Sequence, residues 1–211
     1  MGTQKIIIWP SEDGYDYPFQ VDYQTAWDNT ISALRDLCDT LPQINIAVEY
    51  KPIEPRRFYI VGDMANTLLA IAEVNRPKLG VVLDFAHSLM ANENPAQAAQ
   101  RALARGQLAD LHLNDSYGRA DDGLVIGTIH PMQTLELIYY LQKYGYTGHV
   151  YFDTFPVRED PVAEAELNIS RLRHFWAAAL ALDLETLTSL QSQQDALAIL
   201  GLLGEKGTLF G

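Results

Sequence analysis

The sequence predicts an α/β domain built on a parallel sheet, and three observations predict it. Short apolar strands alternate with amphipathic stretches of helical period along most of the chain. The strands, "KIIIW" and "LGVVLDF" among them, are near-continuously apolar, which is the pattern of strands covered by helices on a sheet's faces. The joining segments carry helix start and stop residues at the positions this alternation requires.

The elements follow in order. A first strand at Lys5–Trp9 precedes the helical stretch "DYQTAWDNTISALRDLCDTL". The second strand, Ile44–Glu49, leads to "GDMANTLLAIAEVN", where Asp63 is the N-cap. The third, Leu79–Phe85, leads to "NPAQAAQRALARG", with Asn94 as cap, Pro95 in the first turn and Gly106 as the stop. The fourth, Ala109–Leu113, precedes "HPMQTLELIYYLQKYG", which opens on Pro131 and closes on Gly145. A fifth strand, Val150–Asp153, is followed by a helix from about Asp160 to Leu182. Residues 183–211 have no strand partner and read as one more helix, breaking near Gly201 and Gly204. They form a tail on a domain spanning residues 1–182, packed on that domain or in a subunit contact.

Composition narrows the chemistry. The 211 residues carry 27 Asp and Glu against 15 Lys and Arg, a formal charge of -12, and this excludes a phosphate-backbone partner that needs basic patches. The one cysteine, Cys38, has no intramolecular disulfide partner, so a reducing cytoplasm is the expected compartment. The start, "MGTQKIIIWP", is too short an apolar run for a signal peptide. No stretch reaches the roughly 18 apolar residues of a membrane helix.

The polar residues are informative by position. Four of the five strands end in, or nearly in, a metal-ligating residue: Glu49, Asp84, His112 and Asp153. Strand ends in a parallel sheet point to one face, where ligands bind. Taken singly, Asp84 reads as a loop cap, His112 as an interior histidine, and Glu49 and Asp153 as halves of ion pairs. Four such residues on successive strands point instead to a divalent cation, and three carboxylates with one imidazole suit Mn²⁺, Mg²⁺ or Co²⁺ better than a thiolate metal. Lys51, two beyond Glu49, shares its face in an extended segment. His87 lies three beyond Asp84, past the strand end, and Asp121 and Asp122 sit in the polar loop "NDSYGRADDGLV", as candidate functional groups or as a solvated turn. Trp9, Tyr15, Tyr17 and Phe155 are candidates for a pocket wall, or for simple loop packing.

The segments "VEYKP", "LDFAH", "LHLND" and "FDTFP" resemble the strand ends of the xylose isomerase-like TIM barrels, most closely the L-rhamnose isomerase branch. The resemblance implies that Glu49, Asp84, His112 and Asp153 hold a divalent metal, Mn²⁺ first and Mg²⁺, Co²⁺ or Zn²⁺ next. It implies that Trp9 walls a small-molecule sugar site, that Lys51 binds sugar oxygens, and that His87 with Asp121 and Asp122 serves a second metal or a proton shuttle. The adjacency of Asp121 and Asp122 departs from the alternating pair of that branch. The implied reaction is aldose–ketose interconversion. In the ketose 3-epimerases of the superfamily two metal-bound Glu act as acid and base, and the shorter Asp153 departs from that pattern. The related apurinic endonucleases want a basic DNA-facing surface, which a charge of -12 does not offer. A full (β/α)₈ barrel takes about 250 residues, and five strands are read here. The expectation is therefore a partial barrel holding the fourth to eighth strands. The chain is then a piece of a longer enzyme, a chain completed by another copy or chain, or a half-barrel binding module.

Overall fold

The computed structural model describes residues 2–205. Strand β1 (Lys5–Ile8) leads to helix α1 (Tyr23–Thr40), which begins where the Asp22 carboxylate accepts a hydrogen bond from the Thr25 amide at 2.8 Å. Strand β2 (Asn45–Glu49) is followed by a short antiparallel hairpin, β3 (Ile53–Glu54) and β4 (Arg57–Phe58), for which the sequence gives no expectation. Asp63 caps α2 (Met64–Val74) as expected.

Strand β5 (Leu79–Asp84) passes without a loop into a short helix, α3 (Phe85–Met90). Asp84 is its N-cap and accepts a hydrogen bond from the His87 amide at 2.9 Å, so Phe85 opens a helix rather than closing a strand. Then come α4 (Pro95–Leu103), β6 (Leu108–Leu113), α5 (Pro131–Lys143), β7 (Val150–Phe152) and α6 (Pro161–Leu180).

The tail departs from expectation. It forms two helices, α7 (Leu184–Gln193) and α8 (Ala196–Glu205), and the break falls at Gln194, whose φ of 55° is left-handed. Asp195 restarts the helix by accepting a hydrogen bond from the Ala198 amide at 3.0 Å. Gly201 and Gly204 lie inside α8, because a glycine costs a helix only about 1 kcal/mol and does not stop it where neighbours pack. Leu187, Ile199 and Leu202 join the same apolar core as α5. Residues 206–211 of the tail lie outside the described residues.

The five long strands form one parallel sheet in the order β1-β2-β5-β6-β7. They curl into a half-barrel with eight helices among the described residues, a partial (β/α)₈ barrel. Alternation along each strand gives the sheet two unlike faces. Ile46, Val48, Leu79, Val81, Leu83, Leu111 and Leu113 face the helices and make the apolar core. Ala47, Glu49, Val82, Asp84, Asp110 and His112 occupy the alternate positions and face the concave side. Deep on that side the Lys5 ammonium reaches Asp110 at 2.8 Å. No helix among the described residues is long and apolar enough to cross a membrane.

Candidate metal centre

The parallel register carries the strand ends to one rim, and four polar side chains meet there. Glu49 ends β2, Asp84 ends β5 opposite His112 of β6, and Asp153 follows β7. One ligand atom from each of the four lies within 4.8 Å of all the others. His112 Nδ1 is 3.3 Å from Glu49 Oε1 and 3.7 Å from Asp153 Oδ2. Asp84 also belongs to a second group with His87 and Asp121, gathered by the same distance. There His87 Nε2 is 3.1 Å from Asp121 Oδ2, and its Nδ1 is 3.5 Å from Glu49 Oε1.

The candidate ligands are held by neighbours. Both Asp84 oxygens accept from the Asn114 amide, at 3.3 and 3.0 Å, while Asn114 Oδ1 accepts from the Ala86 N–H. Sequence reasoning missed Asn114, although its place two beyond His112 signals the same side of the chain. It also missed Glu54, which pairs with Lys51 from a hairpin too short to show a period. Lys51 is buried, donates to Asp121 at 3.1 Å, and lies 5.0 Å from the Trp9 ring. Asp122 joins neither group. Its carboxylate accepts from the Tyr117 N–H at 2.8 Å, so it holds the loop while its neighbour Asp121 turns inward.

The electrostatics suit a cation. Burial, reinforced by Glu49 and Asp121 and opposed by His87, pushes the Asp84 carboxyl up to about 6. Burial raises Asp153 as well. For His87 and His112 burial disfavours the imidazolium, but the surrounding carboxylates outweigh it and raise both above their ordinary value. Asp121 is also penalised by burial, yet His87 and Lys51 bring it below the usual carboxylate range. His112 Nδ1, His87 Nδ1 and Asp121 Oδ1 are buried without a hydrogen bond. Buried acceptors and imidazole nitrogens left unbonded beside three crowded carboxylates fit a divalent metal. An oxygen-rich set with one or two imidazoles matches Mn²⁺, Mg²⁺, Co²⁺ or Zn²⁺.

A cavity of about 740 Å³ opens beside the cluster, and Lys51 and Asp121 line it. Trp9, Phe58 and Phe155 supply its apolar wall, with Trp9 42% and Phe155 44% exposed. Tyr15 stacks on Phe58 at 5.6 Å and Tyr17 sits under Arg56, so these two tyrosines support the wall rather than line it.

Known proteins share this arrangement of sequence and fold. The chain is 28% identical over 166 residues to the xylose isomerase of Thermus thermophilus, covering 76% of this chain and 43% of that protein. It is 26% identical over 205 residues to a probable sugar isomerase of Mesorhizobium japonicum, covering 93% of this chain and 47% of that one. The chain thus spans less than half the length of these curated relatives. Among solved structures an L-ribulose 3-epimerase has the same fold, with a TM-score of 0.70, 16% identity, and coverage of 83% of this chain and 62% of that one. The family model described as xylose isomerase-like TIM barrel matches residues 1–175, and the chain belongs to that family.

Proposed function

We propose that this chain carries the metal site and part of the substrate pocket of a divalent-metal-dependent sugar isomerase, an aldose–ketose isomerase of L-rhamnose isomerase type. The convergence of Glu49, Asp84, His112 and Asp153 within 4.8 Å, from four successive strands of the sheet, is the observation that carries the reading. These four hold the metal, with Mn²⁺ as the first choice. A divalent cation there supplies positive charge that stabilises negative charge developing on adjacent oxygens of an open-chain sugar.

The chain's own residues supply the rest. Burial disfavours the Lys51 ammonium, but Glu54 and Asp121 more than restore it, so Lys51 stays charged and donates to a sugar oxygen. Trp9 presents a half-exposed aromatic face for the sugar's C–H groups. His87 bridges Asp121 and Glu49 and is placed to hold or pass a proton beside the reacting carbons. Asp122 is placed to act only through the loop it ties down. The reading includes barrel strands alongside β1 and β7, which lie at the two outer edges of the sheet, supplied by further sequence of a longer protein, by a second chain or by a second copy.

A ketose 3-epimerase is the second reading, favoured by the fold likeness to an L-ribulose 3-epimerase and disfavoured by the short Asp153 where a second acid–base Glu is wanted. Metal analysis of protein stripped, reloaded with Mn²⁺ and desalted tests the site. The expected result is near one ion per chain in the parent and none in the Glu49→Gln, Asp84→Asn double variant; equal loading overturns it. Proton NMR of aldoses and ketoses in D₂O separates the reactions: a carbonyl moved between C1 and C2 marks isomerisation, and inversion at C3 marks epimerisation.

A further inference from the structure

The cavity beside the metal centre differs in charge from the rest of the chain. The protein carries 27 acidic against 15 basic residues, yet this wall holds four cationic side chains, Lys51, Arg56, Arg57 and Arg119, against three carboxylates, Asp16, Glu54 and Asp121. The three carboxylates are already engaged. Lys51 takes Glu54 and Asp121, and Arg57 lies 3.6 Å from Asp16 and 2.8 Å from Glu12. Arg56 and Arg119 have no carboxylate partner among the described residues. The Arg56 guanidinium instead lies 5.5 Å from the Tyr17 ring and donates to the Tyr17 hydroxyl at 2.9 Å, which fixes its position without neutralising it.

Glu12 brings the carboxylates to four, so the wall holds no net excess of charge, but a neutral polyol has no use for two guanidiniums that lack a carboxylate partner. Its hydroxyls pair with carboxylates and amides as readily as with guanidinium, whereas an oxyanion gains a charge-assisted and often bidentate contact from Arg. The cavity is large enough for an open-chain sugar and a terminal substituent, and Lys51 and Asp121 mark the end that meets the metal centre. We propose that the substrate is an anionic sugar, with its reacting carbons at the metal centre and a terminal phosphate or carboxylate on Arg56 and Arg119. This inference rests on the metal-site reading above and adds the substrate's charge to it.

Calorimetric titration of the Mn²⁺-loaded full chain with D-fructose, D-fructose 6-phosphate and D-fructuronate tests it. The expected result is at least tenfold tighter binding of one anionic sugar than of D-fructose. Whichever anion is preferred separates phosphate from carboxylate. In the Arg56→Gln, Arg119→Gln variant that preference is expected to collapse to less than twofold, and 0.5 M salt weakens it in the parent because the guanidiniums are exposed. Equal or tighter binding of D-fructose overturns the inference, as does a preference that survives in the variant, or no binding of any of the three. Mn²⁺ content, measured on the same samples, keeps the two readings apart: loss of the ion defeats the metal site, whereas a loaded site without anion preference defeats only the substrate charge.

Discussion

The two faces of the sheet are built from the same strands, one residue apart, and follow opposite rules. On the helix-covered face Val81, Leu83, Leu111 and Leu113 are fully buried among apolar neighbours, and burial alone stabilises them. On the concave face Glu49, Asp84 and His112 are also buried, but against like charges and unbonded nitrogens. Burial there works against the charged forms and is tolerated because the helix-covered face holds the strands in place. Stability and chemistry are thus separated by the two-residue period of a strand, and adjacent residues are expected to fail in different ways.

Leu83 and Asp84 give the largest expected contrast. Leu83→Ala removes a fully buried side chain from the core and is expected to cost about 2–5 kcal/mol of stability, read by denaturant unfolding. Its Mn²⁺ stoichiometry below the transition stays that of the parent. Asp84→Asn keeps the oxygen that caps α3 and removes one buried charge. Its new amide meets the Asn114 amide that donated to the lost oxygen, so stability without metal is expected to fall by about 1–3 kcal/mol, while Mn²⁺ affinity falls at least tenfold. A destabilised but metal-tight Asp84→Asn breaks the comparison.

Asn114 sharpens it, since its side chain belongs to the concave face but ligates nothing. It holds both Asp84 oxygens and the Ala86 N–H. Asn114→Ala is expected to lower Mn²⁺ affinity by about 10–100-fold, the usual effect of losing a group that orients a ligand. Titration of the stripped variant checks it, and unchanged affinity shows that Asp84 is positioned by its strand alone.

Much of this separation is legible in the sequence, and the reason is physical. Apolar strands ending in Glu49, Asp84, His112 and Asp153 repeat a pattern, and a parallel sheet turns that pattern into a point in space. What has no period cannot be read this way. The β3–β4 hairpin has two residues a side, α3 continues an apolar run without a composition change, and the break at Gln194 rests on one left-handed residue. Asp121 and Asp122 are chemically identical neighbours in a loop, and only the fold decides that the first meets His87 while the second caps Tyr117. Trp9 and Phe155 reach the pocket, whereas Tyr15 and Tyr17 sit behind it, for the same reason.

The smallest expected effect is on pH dependence, where the concave face acts together with Glu93 and Asp13, whose carboxyls burial also raises. Asp84, with its pKa at about 6, together with Asp153, His87 and His112, binds protons more tightly folded than unfolded in the metal-free protein. A group raised on folding contributes stability that is complete below its unfolded pKa and is lost as pH rises through the folded one. Asp84 therefore loses its contribution as pH rises from about 4 through 6, and the histidines lose theirs above about 6.5. Asp121 is lowered and acts in the opposite sense, but only below pH 4, outside the window that decides the test. The melting temperature of metal-free protein is expected to fall by roughly 5 °C between pH 5 and pH 8. Mn²⁺ should remove or reverse that slope, because the cation takes the place of the protons among the same carboxylates. In the Asp84→Asn variant the metal-free slope should flatten. A melting temperature that rises from pH 5 to pH 8 without metal would show that the concave face is already balanced by its own charges, and the contrast between the two faces would fail where it is most specific.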